Sequence, residues 1–307
     1  MISILIPTFQ YKTLALVKNL YRQATTERIV FEIIVQDDGS KNLEILNHNK
    51  KINKISNCKF LINTINIGRS ENRNSLIRKA KYDWILFIDC DMKICNEFYL
   101  KNFIEHMIGN KIIFGGIIYN TELPEKNYLL RWYYGKHRET QSVLKRNKNP
   151  YKSCLISNTL IPKSILLKTP FRKEITEYGY EDIMFILDIK KSGVFIKHID
   201  NPTIHDYNEQ SFEYLLKWKC SLNNLKMLLD KNILHHQDNA ITYLYYWLNK
   251  VYLKNIFLFF FIKFQKKLEY NLLSSNPSLF LFDIYRLGYF CKISTKKEEK
   301  NSSTLLI

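Results

Sequence analysis

Short apolar runs alternate with stretches at helical spacing through the first half of the chain. Ile2–Ile6, Phe31–Val35, Phe60–Ile65, Trp84–Ile88 and Lys111–Ile118 read as strands. Leu14–Gln23, a polar stretch from Leu43, Ser70–Lys81 and Phe98–Met107 read as helices between them. Strands of this length separated by helices of about ten residues predict βαβ units and a mostly parallel central sheet, an α/β fold with helices on both faces. Ligands of such sheets bind beyond the carboxyl ends of the strands. Pro7-Thr8, Asp37-Asp38 and Asp89-Cys90-Asp91 each follow a predicted strand, which puts them on one rim although they are far apart in sequence.

Residues 119–152 lack a clear period and are basic and aromatic, which predicts a long functional loop. Cys154–Ile161, Val194–Ile199 and Thr203–Ile204 read as further strands, and Glu181 to Lys191 as a helix. From Glu209 onward only helical spacing is left, in Phe212–Leu229 and Ala240–Phe264. A boundary near Asn208 follows, giving a catalytic domain over 1–208 and a helical region over 209–307.

Composition narrows the classes. The 307 residues are 46% hydrophobic, enough apolar surface to offset ordering entropy and exclude a disordered chain. The net charge of +17 calls for an anionic partner: nucleic acid, a membrane surface or a polyanionic small molecule. The last 92 residues hold 14 Lys/Arg against 6 Asp/Glu. Six cysteines occur without a CxxC pair, which argues against a zinc ribbon and for a reducing compartment. The N-terminus MISILIPTF has no charged leader region, so a secretory signal is not expected. The apolar run Ile256–Ile262 is far shorter than the ~20 residues a bilayer crossing needs. The expectation is a cytoplasmic protein that touches the inner face of the plasma membrane.

Candidate chemistry gathers at the strand ends. Asp89 and Asp91 repel each other unless a hard cation shared with phosphate oxygens neutralises them, or they form only an acidic turn. Asp37-Asp38-Gly39-Ser40 is a second acidic turn, and also simply a good turn sequence. Arg69 and Arg73 share a face at the start of a helix, where cations oppose the dipole unless an anion such as a diphosphate sits there. Glu181-Asp182 suits a capping role or a general base. His205 ends a strand and is a candidate metal ligand, or a structural histidine.

Taken in order, SILIPTFQY, EIIVQDDGS, NIGRSENRNSLIRKA, WILFIDCDMKI and EYGYEDIMF resemble the successive motifs of the family 2 glycosyltransferases with the GT-A fold, the fourth being similar to the DxD strand. The resemblance covers roughly residues 1–208. HIDNPTIHDYNEQSF and SSNPSLFLFDIYRLGYF look like variants common in Bacteroidetes. Phe9-Gln10 departs from the usual Tyr-Asn, and Asp-Tyr-Asn follows His205.

The resemblance implies a pocket for a UDP-sugar donor lined by Pro7 and Thr8, with Asp38 at the uracil and Asp37 nearby. It places Gly68 and Arg73 at the base or diphosphate and Asp89 at the ribose or sugar. Asp91 becomes a ligand of Mn²⁺ or Mg²⁺, with His205 as a second ligand. Asp182 is implied as catalytic base and Glu181 as a group binding sugar or acceptor hydroxyls. The implied reaction is a single inverting displacement onto a hydroxyl of a glycan or lipid-linked acceptor in surface polysaccharide synthesis.

Two rival classes share some of these features. A basic nucleic-acid binder without catalysis draws on the Arg131–Lys152 segment, yet three acidic turns on one rim would repel phosphate, so no nucleic-acid partner is expected. A sugar-nucleotide-forming nucleotidyltransferase needs a glycine-rich loop where this chain has PTFQYKT. No GxGxxG follows any predicted strand, which argues against a dehydrogenase. Tyr243–Phe264, aromatic with spaced lysines, has the composition of a helix lying on an anionic membrane, or of one packed on the catalytic domain or on a dimer partner.

Overall fold

The computed structural model describes residues 1–175, 178–206 and 209–304, with side chains as far as Thr295. The boundary expected near Asn208 lies outside the described residues. The chain packs as two units. One comprises Met1–Thr121, Gly135–Thr176 and Glu181–Tyr207; the other comprises Glu122–Tyr134, Glu177–Tyr180 and Asn208–Ile307.

The first unit contains β1 (Ile2–Thr8), β2 (Phe31–Asp37), β3 (Cys58–Ile62), β4 (Trp84–Phe87), β5 (Met92–Ile94), β6 (Ile112–Phe114), β7 (Ile117–Ile118), β8 (Thr159–Pro162), β9 (Ile196–His198) and β10 (Thr203–His205). Seven strands form one sheet in the order β3-β2-β1-β4-β8-β6-β9, in which only β8 runs antiparallel to its neighbours. Helices α1 (Leu14–Thr26), α2 (Leu43–Lys50), α3 (Arg69–Lys79) and α4 (Tyr99–Ile104) follow the early strands. The strands are apolar on both faces because both are covered: Ile4, Leu5, Ile33, Val35, Ile85 and Leu86 are all buried. Thr8 pairs in register with Asp37, so β1 and β2 end level with each other.

A smaller sheet, β5-β10-β7, lies beside the large one in the same unit. It corrects the single strand predicted over Lys111–Ile118. Gly115-Gly116 interrupts that run, sending β6 into the large sheet and β7 into the small one. Gly115 backs so closely onto the Asn201 carbonyl that an added Cβ would lie 2.4 Å from it, and Gly116 sits at φ +98°. The strand predicted over Cys154–Ile161 shortens to β8 because Asn158 takes a left-handed conformation at φ 65°. Its side-chain amide donates to the Gly116 and Asn201 carbonyls at 2.6 and 2.9 Å.

The long loop predicted over 119–152 is largely helical. After α5 (Leu129–Tyr134), which belongs to the second unit, come a wide helical turn at Gly135–Glu139 and α6 (Val143–Lys148). The buried anchor of α6 is Arg146, whose guanidinium donates to the Phe114, Gly115 and Ile199 carbonyls. A helix of six residues held by a charged side chain leaves no apolar period to read. Helices α7 (Lys163–Lys168) and α8 (Glu181–Lys191) complete the first unit.

The second unit is helical as expected. It comprises α5 with α9 (Ser211–Asp230), α10 (Ala240–Lys250), α11 (Lys254–Leu272) and α12 (Leu279–Thr304). Its core joins Leu130, Tyr214, Leu215, Phe261, Leu272, Phe282 and Tyr285. The single helix expected over Ala240–Phe264 is broken. Tyr252 adopts φ 60°, with Leu253 N donating to Leu248 O and Tyr252 N to Asn249 O, which ends α10 in a Schellman motif. Among the described residues no helix is long and apolar enough to cross a membrane.

Candidate active site

The level ends of β1 and β2 bring the first acidic turn into place. Asp37 closes its own turn, accepting from the backbone N and the Oγ of Ser40, both at 2.7 Å. Asp38 donates its backbone N–H to the Thr8 carbonyl at 2.9 Å. Its carboxylate accepts from Asn63 Nδ2, Ile67 N and Gly68 N, each at 3.0 Å. Asp38 therefore latches the 63–68 loop and the entry to α3 onto the end of β2. Thr8 is buried and Pro7 half-buried on the same rim.

Helix α3 presents its arginines to carboxylates from other parts of the unit. Arg73 is 1% exposed. Its Nη1 lies 2.6 Å from Asp182 Oδ1 and 4.0 Å from Glu181 Oε1, and its Nη2 lies 3.2 Å from Asp89 Oδ1. The guanidinium is thus enclosed by three carboxylates and stacked over the Phe171 ring at 5.4 Å. Burial opposes its charge, but Asp182, Asp89 and Glu181 outweigh that and hold its pKa above the usual value. Arg69, its neighbour on the same helix face, pairs with Glu181 at 3.1 Å.

Asp182 stands in the first turn of α8 and also accepts from Ile156 N at 3.2 Å. Burial raises its pKa, Arg73 lowers it, and Glu181 and Asp89 raise it again, leaving it above the ordinary carboxylate value. Glu181 is buried, and its Oε2 has no hydrogen-bond partner among the described residues. A carboxylate with raised proton affinity is the kind of group that can accept a proton near neutral pH. The neighbouring Cys90 does not: burial, helped by Asp91, pushes its thiol up to about 12.

The small sheet brings together the second pair. Met92 opposes His205 in the β5–β10 register, which sets the preceding Asp91 beside the imidazole. Asp91 Oδ2 lies 3.4 Å from His205 Nε2, and Asp91 Oδ1 is buried with no hydrogen-bond partner among the described residues. The Tyr119 ring stacks on His205 at 5.3 Å. A carboxylate oxygen left over beside an imidazole is a donor set that fits a divalent cation. Among the described residues no group of three His, Cys, Asp or Glu side chains encloses an ion. Cations of this kind are commonly held by one or two protein ligands together with substrate phosphates.

Sequence reasoning missed two residues here. Tyr11 donates from its hydroxyl to Asp206 Oδ2 at 3.2 Å, and Lys93 Nζ lies 3.0 Å from Asp206 Oδ1. Asp206 follows His205 directly and was legible only as a departure from the expected pattern. Tyr11 carried no signal, since a tyrosine three residues past a strand is ordinary.

Residues 3–162, more than half the chain, match the model of Glycosyl transferase family 2. An uncharacterized glycosyltransferase of Haemophilus influenzae is 27% identical over 197 residues, 64% of this chain and 72% of its own. The mannosyltransferase PcManGT from Pyrobaculum calidifontis, solved in complex with GDP-Man and Mn²⁺, is 11% identical with a TM-score of 0.51 over 71% of this chain and 61% of its own, and shares the GT-A fold. TarS of S. aureus is 18% identical with a TM-score of 0.46; the match covers 74% of this chain but only 40% of the TarS chain.

Proposed function

From the premise that the chain belongs to glycosyl transferase family 2, we propose that it moves a sugar from a UDP-sugar to an acceptor hydroxyl in one inverting, metal-dependent displacement. The observation that carries this reading is the Arg73 cluster. It draws Asp89 and Asp182 from distant segments onto one rim and leaves Asp182 with a raised proton affinity.

The donor's nucleoside lies against the ends of β1 and β2 in this reading, at Pro7, Thr8, Asp37, Asp38 and Gly68. Asp38 shapes the wall by latching the 63–68 loop. Asp89 faces the ribose or sugar. Mn²⁺ or Mg²⁺ at Asp91 and His205 would supply charge neutralisation for the departing diphosphate; the Asp91 Oδ1 beside the imidazole, unpartnered among the described residues, supports this choice of ligands. The acceptor oxygen attacks C1 from the face opposite the diphosphate. Its proton passes to Asp182, and the electron pair of the broken C1–O bond leaves with UDP. Arg73 keeps Asp182 and Asp89 in place, and Glu181 binds hydroxyls of the sugar or acceptor. The acceptor is a glycan or lipid-linked sugar of a surface polysaccharide, reached from the cytoplasmic face of the membrane.

The test is Asp182→Asn, with UDP release as the readout across a panel of nucleotide sugars with Mn²⁺. Turnover is expected to fall by about 10²- to 10⁴-fold, the usual contribution of a positioned base. UDP binding by calorimetry should change little. Normal turnover in the variant would remove Asp182 from the role.

A further inference from the structure

The second unit leaves a broad apolar surface uncovered along α10, the turn after it and α11. Tyr243, Leu244, Tyr246 and Trp247 are exposed on α10, and Tyr252 in the turn is 90% exposed. On α11 the exposed positions Ile256, Phe259, Phe260, Lys263, Lys267 and Tyr270 recur at helical spacing, while Phe261 and Leu272 face the unit's core. Scattered apolar side chains on a surface are ordinary, but a contiguous aromatic stripe on two successive helices marks an interaction site.

Charge decides the occupant. From Tyr243 to Tyr270 the chain carries five lysines and one acidic residue, Glu269. That glutamate is turned away from the stripe, accepting from the Tyr285 hydroxyl at 2.5 Å and from Lys219 at 3.3 Å. Lys263 and Lys267 lean over the Phe264 ring, at 5.9 and 5.7 Å from its centroid. Their ammonium groups thus sit within cation–π range of an aromatic ring of the same helix. A second copy of this chain would set lysines against lysines in a molecule of net charge +17. An anionic lipid surface meets both halves of the pattern: acyl chains accept the aromatic face, and headgroups accept the lysines.

We propose that the α10–α11 face of the second unit lies in the interfacial layer of an anionic membrane, with Phe259 and Phe260 entering the acyl boundary and Lys263, Lys266 and Lys267 on the headgroups. This goes beyond the proposed sugar transfer and does not depend on it.

Co-sedimentation of the full chain with vesicles tests it, using phosphatidylcholine alone and phosphatidylcholine mixed with phosphatidylglycerol. The chain is expected to partition onto the anionic vesicles and to be released by salt. Phe259→Ser with Phe260→Ser should weaken partitioning roughly tenfold or more, as two exposed rings lose their apolar contact. Lys263→Gln, Lys266→Gln and Lys267→Gln together should weaken binding to the anionic vesicles by about a hundredfold and leave neutral vesicles nearly unaffected. All five positions are exposed, so circular dichroism should show unchanged folds. A chain that stays in the supernatant with both vesicle types, or a Phe259→Ser, Phe260→Ser variant that binds as tightly as the parent, overturns the proposal. A dimer abolished by the phenylalanine pair, without vesicle binding, would assign the face to a second copy and overturn it equally.

Discussion

Arg73 Nη1 stands 2.6 Å from Asp182 Oδ1, joining residues 109 positions apart in sequence. With Asp89 at 3.2 Å on the other arm of the guanidinium, one cation balances several carboxylates that would otherwise repel each other.

Removing that cation leaves buried negative charge without compensation. Arg73→Met is expected to destabilise the fold by about 3–5 kcal/mol, the usual cost of breaking a buried ion pair from one side. Urea unfolding measures it. Adding Asp182→Asn to Arg73→Met should restore part of the loss, because it removes one of the stranded charges. Two losses that simply added would deny the coupling.

Asp91 and His205 are expected to act together on the cation. Asp91→Ala should abolish the strengthening of UDP binding by Mn²⁺, and His205→Ala should reduce it. Isothermal calorimetry with and without Mn²⁺ reads both. Unchanged Mn²⁺-linked affinity in Asp91→Ala would place the cation elsewhere.

His198 gives a pH dependence with a definite sign. It is buried against Arg146, accepting at Nδ1 at 3.3 Å, and its Nε2–H donates to the Pro150 carbonyl at 3.0 Å. Burial, with Arg146 adding to it, lowers its pKa to about 4. The unfolded chain therefore binds this proton more readily than the folded one, near pH 6.5. Stability from this group is complete above about pH 6.5 and drains away as pH falls toward 4. The urea midpoint of the parent should drop over that window relative to His198→Gln, which has no such titration; parallel curves would contradict it.

Gly39 occupies φ +79°, and a Cβ added there would lie 2.6 Å from Ile65 C and Asn66 N, both backbone atoms. Gly39→Ala combines left-handed strain with a clash that no side-chain rotation relieves, so a loss of about 2 kcal/mol or more is expected in urea unfolding. Because the displaced backbone belongs to the 63–68 loop held by Asp38, UDP affinity should fall as well.

The sequence exposed the parts of this molecule whose signals are local. Strand β1, strand β2 and helix α1 carry clean apolar periods, and the acidic turns sit where the strands must end. What it hid depends on tertiary contacts. Arg146 replaces an apolar anchor in α6, so a helix passed for loop. Gly115-Gly116 divides one apolar run between two sheets, which no period reveals. At the site, the residue types were legible but not their partners within the fold: no period or spacing reveals that Arg73 meets Asp182 and Asp89. The break at Tyr252 was hidden too, because hydrophobic spacing continues across it while the backbone does not.

The β5–β10 pairing also orders events in time. Asp91 is made early, whereas His205 emerges 114 residues later, and Asp182 likewise trails Arg73. A ribosome delivers the chain from its N-terminus, so β1 to β4 can assemble while both pairs are still missing their later members. A product truncated before Thr203 would retain the first parallel strands and the acidic turns, yet lack the strand that sets an imidazole beside Asp91. The small sheet thus closes only with β10, the strand that completes the Asp91–His205 pairing.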